Sequence, residues 1–417
     1  MRVWLVTIGE PLPIDGPDVR LYRVGLLANQ LASRGHHVVW WTSTYSHAKK
    51  EFRYTRDTDL TVNANLRMVL LHSVPYRSNV SVSRLINHYE LGRKFAQRAE
   101  TEPKPDVILA SLPSLDLSAA ATVYGERHRV PVVVDVRDLW PDVFLDLAPR
   151  WARPLARLPL LPMFASARAI CKRATALTGT TPAYVEWALG HAGRTRADHD
   201  RDFPLGYTAV SPKPLDMASA EAFWAQRGVG KQSDEFVACF YGTIGRQFEL
   251  ETVIEAARLL NGHPGKFRFI ICGCGDKLGH YRRLAKDCPQ IDFPGWVGAA
   301  QIWVLSRIAQ VGLAPYHSSP NFVSNVPNKP IEYLSAGLPV VSSLKGALER
   351  LLSDRHCGVT FENGNASDLA QVLLNLQNTP DLLTKLSANA QAAYRSKFVA
   401  ETVYGEMCDY LEDVAFL

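Results

Sequence analysis

Between residues 324 and 341 the chain reads SNVPNKPIEYLSAGLPVV, a polar, proline-edged loop running into a short helix, a glycine stop and an apolar strand. Asn328 suits an N-cap, Pro330 is tolerated in a first turn, and Gly337 is placed to end the helix. A helix start presents unpaired N–H groups and the positive end of its dipole, a natural seat for a diphosphate. Lys329 would add a point charge to that seat. Glu332, one turn further on, is an acceptor-only group suited to holding two sugar hydroxyls, as on a ribose. It could equally favour the dipole and pair with Lys329 at i, i+3, and the stretch alone leaves both readings open.

Other candidates are weaker or differently placed. GCGDKLG, residues 273–279, follows a strand and opens a helix, but its third glycine comes one residue late for a dinucleotide fingerprint, and a tight turn is the better reading. The seven cysteines show neither a disulfide framework nor zinc spacing, so the expectation is no metal and no cofactor. In the first half, DVRDLWPDV sets Arg137, Asp138, Trp140 and Asp142 in a loop after a strand, where carboxylates and an arginine could orient a substrate. A structural ion pair of Arg137 with a neighbouring aspartate is the rival. After the first strand, GPDVRLYR offers Gly16 for close backbone approach and Arg20 and Arg23 for a phosphate.

Net charge is only +5, which argues against nucleic acid as a partner. Its distribution is uneven: from Arg150 to Arg173 there are six basic residues and no acidic one, interleaved with Trp151, Leu155, Leu158, Leu160, Leu161, Met163 and Phe164. That pattern fits a surface resting on an anionic leaflet, or a buried helix with snorkelling arginines. No window reaches eighteen uninterrupted apolar residues, and MRVWLVTIGE reads as a buried first strand, so no membrane-spanning helix or signal peptide is expected. The cysteines suit a reducing compartment, which points to the cytoplasm.

The elements that must hold these residues alternate along the chain. VWLVTI, HVVWWTS, LRMVLL, DVILAS, PVVVDV and ATALTG are strand candidates separated by helical stretches, so residues 1–205 read as a parallel, doubly wound sheet. Prolines 204, 212 and 214 and Gly206 mark 206–231 as a linker. The alternation restarts with FVACFYG, KFRFIICG, IDF, QVGLAP and LPVVSS, giving a second βα domain over 232–395, and residues 396–417 read as a helix returning to the first. Two such domains make a cleft lined by the carboxyl ends of their strands.

Four segments in order, FYGTIGRQFELETVIEAARLL, FIICGCGD, FPGWVGAAQIWVLSRIAQVGLAPY and PNKPIEYLSAGLPVV, resemble the carboxy-terminal domain of the GT-B retaining glycosyltransferases of family 4. LANQLASRGHHVVWWTS, PDVILASLPS and PVVVDVRDLWPDVF are similar to the branch that builds bacterial surface polysaccharides, including fucosamine-type transferases. The resemblance implies two Rossmann-like domains, a nucleotide-sugar donor on the second and an acceptor on the first. It also implies a glutamate pair eight residues apart; Glu332 matches the second member, but Ser324 stands where the first belongs, so Ser324 and Asn325, or backbone amides of the PNFVSN loop, would read the sugar. An arginine and a lysine are implied for the diphosphate, yet Thr243 and Phe248 occupy those positions, and within GTIGRQ, after Gly242, only Arg246 is charged. Arg246 and Lys329 become the phosphate pair, unless Arg246 is a plain turn arginine. Trp296 and Val297 would meet the nucleobase, or Trp296 would pack between domains. Relatives have a histidine where Arg137 stands, which leaves Asp138 to orient the attacking hydroxyl.

The expectation is therefore a cytoplasmic, metal-independent glycosyltransferase at the inner face of the membrane, moving a sugar from a nucleoside diphosphate to a lipid-linked glycan or similar cell-envelope acceptor with retention. A nucleotide-sugar epimerase of the same fold and a catalytically silent partner subunit are the alternatives.

Overall fold

The structure, a computed structural model, describes residues 1–16, 19–230, 234–263 and 266–417, with the side chains of Leu147 and Arg150 excepted. Lys231, at the end of the expected linker, and the Arg150 side chain thus lie outside the described residues. The chain divides into two compact units, Met1–Gly206 with Ala400–Leu417, and Tyr207–Val399.

The first unit holds β1 (Arg2–Val6), β2 (His37–Ser43), a hairpin of β3 (Tyr45–Ser46) and β4 (Glu51–Phe52), then β5 (Thr58–Asn63), β6 (Leu66–Leu71), β7 (Val107–Leu112), β8 (Val132–Val136), β9 (Ala176–Gly179) and β10 (Arg201–Asp202). Among the described residues its main sheet has the order β10-β9-β8-β7-β1-β2-β6-β5, parallel except where β5 meets β6. Side chains alternate along β1: Trp4 and Val6 enter one core, with Trp41, Phe95 and Tyr124, while Val3 and Leu5 enter a second on the opposite face. That second core is closed by Val24, Leu27 and Leu31 of the helix Arg23–Ser33 and by Val403, Tyr404, Met407, Leu411 and Val414 of the helix Ala400–Val414. Each such side chain, fully buried, contributes about 1.5–3 kcal/mol. The last helix therefore belongs to the first unit.

The second unit holds β11 (Phe236–Tyr241), β12 (Phe267–Cys272), β13 (Ile291–Gly295), β14 (Val311–Ala314), β15 (Val340–Ser342) and β16 (Gly358–Thr360). Its sheet is parallel in the order β13-β12-β11-β14-β15-β16. Both sheets reverse winding direction beside their first strand, between β1 and β7 and between β11 and β14. Crevices outside the carboxyl ends of the strands at these points are where open α/β sheets bind ligands. Residues 206–231, suggested as a linker by their prolines, instead contain the helix Pro214–Ala225, whose Trp224 is buried and donates its indole N–H to the Gln301 carbonyl at 2.9 Å. Pro214 sits at the start of that helix, where a missing N–H costs nothing, and so does not interrupt it.

Candidate active site

In the second unit the loops after β11 and β14 are tied together: Glu249 N–H donates to the Pro315 carbonyl at 2.7 Å and His317 N–H to the Gln247 carbonyl at 3.0 Å. The loop after β12 continues alongside, with Ile244 N–H donating to the Cys274 carbonyl at 2.9 Å. This explains GCGD. A Cβ on Gly273 would lie 1.8 Å from the Gly242 carbonyl oxygen, and one on Gly275 would lie 2.1 Å from that of Ile244, so the glycines serve backbone packing.

The helix Asn328–Ser335 begins beside these loops. Asn328 is its first residue and Pro327 its N-cap, with no side-chain cap, so the expected Asn328 cap is not formed. Pro327 has an extended backbone and cannot offer a side-chain acceptor, which leaves the first amides without one from the cap. Gly337 ends the helix with φ +71°. Lys329 reaches back over the first loop, its ammonium 4.8 Å from the ring centre of Phe248 and 5.6 Å from that of Phe240. A Cβ on Gly242 would fall 2.2 Å from Lys329 Nζ, so the lysine lies in the space that this glycine leaves. A cation thus stands above Phe248, the position where the resemblance implied a lysine.

Glu332 acts on three tyrosines, Tyr241 and Tyr316 from neighbouring segments and Tyr333 on its own helix. Burial first, then its carboxylate, raises the hydroxyl pKa of Tyr241 and of Tyr316, and Tyr333 is raised by burial and by neighbours that include it. These phenols stay neutral; Tyr333 donates to the Leu313 carbonyl at 3.0 Å, and Tyr241 accepts from the Ser306 hydroxyl at 3.2 Å. Arg246 extends from the same loop as Gly242, 88% exposed and 4.0 Å from Asp276. Trp296 at the end of β13 is 76% exposed, and Val297 beside it is buried. Ser324 caps the end of the helix Pro320–Val323, with Asn325 N–H donating to the Phe322 carbonyl at 3.1 Å. That turn is pressed onto Gly346, whose Cβ would meet the Val323 carbonyl at 2.4 Å. Gly242 and Arg246, on the loop after β11, and Lys329 and Glu332, on the helix beside it, are thereby gathered at one end of the sheet.

In the first unit the carboxyl ends of β1, β7 and β8 enclose a cavity of about 230 Å³ lined by Glu10, Tyr22, His47, Tyr76, Arg84, His88, Ser111, Ser114, Arg137 and Asp138, among others. Gly16 lies in an adjoining groove with Asp15, whose carboxylate takes both ends of the Arg53 guanidinium. Arg137 pairs with Glu10, so its ion pair is not with a neighbouring aspartate. Glu10 also accepts from the Val24 N–H at 3.1 Å, at the start of the helix Arg23–Ser33. Asp142 accepts from the Trp187 indole at 2.9 Å and faces His191.

Arg23, expected to meet a phosphate, does not. Its guanidinium is fully buried, donates twice to Asp135 at 2.8 Å and reaches the Phe203 and Pro204 carbonyls at 2.9 and 3.1 Å. Burial opposes ionisation of Asp135, and the charge of Arg23 outweighs it, holding the carboxyl below its ordinary range. Arg20 lies outside the cavity lining, with its guanidinium 5.7 Å from the Tyr22 ring.

Sequence reasoning missed His47, Tyr76, Arg84, His88, Ser111 and Ser114. Arg84 and His88, one turn apart on the helix Val82–Ala99, were the available signal. Among the described residues no group of histidines, cysteines and carboxylates is arranged to hold a metal, and no helix is long and apolar enough to cross a membrane.

Comparison with known proteins meets this geometry. Residues 22–199 match the glycosyl transferase 4-like domain, and residues 224–393 match the glycosyl transferases group 1 family. The chain thus carries a glycosyl transferase 4-like domain followed by a glycosyl transferases group 1 domain, on a GT-B fold. A relative, the amylovoran biosynthesis glycosyltransferase AmsK of Erwinia amylovora, is 26% identical over 179 residues, a stretch spanning 40% of this chain and 42% of that one. The fold is shared over 99% of the chain with sucrose-phosphate synthase of Thermosynechococcus elongatus, at 16% identity, 98% of that chain and a TM-score of 0.71. HepE of Anabaena, solved with UDP, is similar at 15% identity over 99% of both chains, with a TM-score of 0.68.

Proposed function

We propose that the protein transfers a sugar, with retention, from a nucleoside diphosphate to a hydroxyl of a lipid-linked glycan or similar cell-envelope acceptor in polysaccharide biosynthesis. The observation that carries the donor half is the Lys329 ammonium held over Gly242 at the start of the helix Asn328–Ser335. Helix amides, Lys329 and Arg246 together supply positive charge where a leaving diphosphate develops its negative charge. Glu332 takes the ribose hydroxyls, Trp296 and Val297 flank the base, and Ser324 and Asn325 face the sugar. Solved relatives of the same fold hold UDP and UDP-glucose, which supports a uridine nucleotide sugar as the donor. The leaving phosphate accepts the acceptor's proton on the same face, and Asp138 of the first unit orients the attacking hydroxyl. Phosphate charge is met by side chains and amides, so no metal is required.

Incubating the protein with a radiolabelled nucleotide sugar and a lipid extract tests this reading. Label should pass to the lipid fraction with release of nucleoside diphosphate, and should still pass in EDTA. A free isomerised nucleotide sugar would instead make it an epimerase, and no reaction without a second protein would make it a partner subunit.

The acid-free run also supports a membrane-surface reading. Trp151, Leu155, Leu158 and Leu161 are exposed, Trp151 by 80%, while Phe164, Ala167 and Ile170 of the same run are buried. Arg153 is partnered by Asp146 at 3.1 Å, and Arg157 lies over Phe164 at 4.5 Å. The exposed apolar row beside basic residues suits an anionic inner leaflet. Flotation with anionic but not neutral vesicles, lost on Leu155→Glu with Leu158→Glu, is the expected result; equal flotation of the variant would remove this surface from the proposal.

A further inference from the structure

Arg84 is placed unusually for a surface helix residue. Its guanidinium lies 4.6 Å from the ring centre of Trp140 and 5.7 Å from that of Tyr76, mostly withdrawn from water. One of its nitrogens donates to the Asn79 carbonyl at 2.6 Å, and among the described residues its Nε is buried without a hydrogen-bond partner and no carboxylate lies within the 4.0 Å of an ion pair. Burial accordingly weakens its hold on its proton, an effect only partly offset by Tyr76 and Asp138. A cation so placed is costly unless something supplies the opposite charge.

The rest of the lining is donor-rich. His88 is 2% exposed, lines the cavity, and has its Nε2 buried without a hydrogen-bond partner. The Ser111 and Ser114 hydroxyls, at the end of β7, are likewise buried and unpartnered. His47 Nδ1 meets the Tyr76 hydroxyl at 2.7 Å, and Lys50 stands behind them, 4.8 Å from the Tyr76 ring centre. Of the two acids in the lining, Glu10 is committed to Arg137 and to helix amides, and Asp138, whose charge is felt at Arg84, forms no ion pair with it. Imidazole and hydroxyl donors around a desolvated guanidinium make a site for an oxyanion, which accepts hydrogen bonds only.

We infer that this cavity receives an anionic group of the acceptor, a uronate carboxylate or a phosphate, gripped by Arg84, His88, Ser111 and Ser114, and that it selects acidic over neutral acceptors. The inference rests on the acceptor side lying in the first unit, as proposed above. With the anion held by Arg84, a hydroxyl of the same molecule is presented to Asp138, which lines the same cavity. The cavity would thus bind the charge at one end and expose the reacting group at the other.

Histidine ring resonances of the full-length protein, assigned with His47→Gln and His88→Gln, report on this cavity directly. Titration with glucuronate, inorganic phosphate and glucose should move the His47 and His88 signals with one of the anions and not with glucose. Glucuronate alone would identify an acidic sugar, and phosphate alone a phosphorylated or lipid-phosphate acceptor. Arg84→Gln should weaken the anion about tenfold or more, while Arg84→Lys retains part of it. Equal shifts with glucose, no shift with either anion, or unchanged anion affinity in an Arg84→Gln protein of native melting would overturn the inference. If Arg84→Gln does not fold, the wild-type titration and Arg84→Lys decide. A parallel UDP titration separates the two readings: UDP binding without anion binding refutes this inference alone, and anion binding without UDP binding refutes the donor site alone.

Discussion

Replacing Gly242 by alanine should damage nucleotide binding through a residue far along the chain, Lys329. The new Cβ would fall 2.2 Å from Lys329 Nζ and 2.3 Å from its Cε, well inside van der Waals contact. Both atoms belong to the end of a flexible side chain, so the lysine swings away and the fold survives. Gly242 has φ +142°, a region that alanine enters at a cost of about 1–3 kcal/mol, so some loss of melting temperature is expected as well. The larger effect is on the phosphate seat. Losing one charge-assisted hydrogen bond is worth about 1.5–3 kcal/mol, or about 10- to 150-fold in the Kd for UDP. Lys329→Ala should show the same loss directly. Because both substitutions act on one contact, the double variant should be little worse than Lys329→Ala, the non-additivity expected of coupled sites. Calorimetric titration of UDP into the four proteins measures this. Full affinity in a folded Gly242→Ala protein, or losses that simply add, would show that the lysine does not reach the nucleotide.

Glu332→Ala should weaken UDP by about 1.5–3 kcal/mol while sparing inorganic pyrophosphate, if the carboxylate holds the ribose and not the phosphates; calorimetry with both ligands separates these. Asp138→Asn should cut sugar transfer by about 100-fold or more with donor affinity intact, on the usual scale of general-base assistance; a parallel fall in UDP binding would move Asp138 to the donor side. Arg23→Met should destabilise the first unit by about 3–5 kcal/mol in urea unfolding, because it leaves Asp135 charged and buried, held by the Thr178 hydroxyl at 2.9 Å and the more distant charge of Arg137 but by no ion-pair partner among the described residues. A near-neutral result would mean that Asp135 takes up a proton at little cost.

Much of the architecture was written locally. Apolar runs such as VVVDV and FVACFY are bounded by turn residues, and the stripe Val24, Leu27, Ala28 and Leu31 repeats at helical spacing, so each element announces its own type. The helix Asn328–Ser335 and its glycine stop could be read the same way, with only the cap displaced by one residue to Pro327. The edge strand Thr58–Asn63 was overlooked although its side chains alternate between partly covered and exposed, because polar threonine, aspartate and asparagine dilute the pattern.

What the sequence could not decide is which charged residue is satisfied and which is left open, since that depends on partners brought together from far away. Arg20 and Arg23 look alike in GPDVRLYR, yet Arg23 is enclosed with Asp135, 112 residues further on. Arg84 resembles many surface arginines until Trp140 and Tyr76 close over it with no carboxylate in ion-pair reach among the described residues. Lys329 and Gly242 carry no mark of belonging together, and only the join of the loops after β11 and β14 sets one against the other. Hydrophobic periodicity is a property of neighbours along the chain and is visible there; desolvation and charge pairing are properties of neighbours in space, and exist only once the chain has folded.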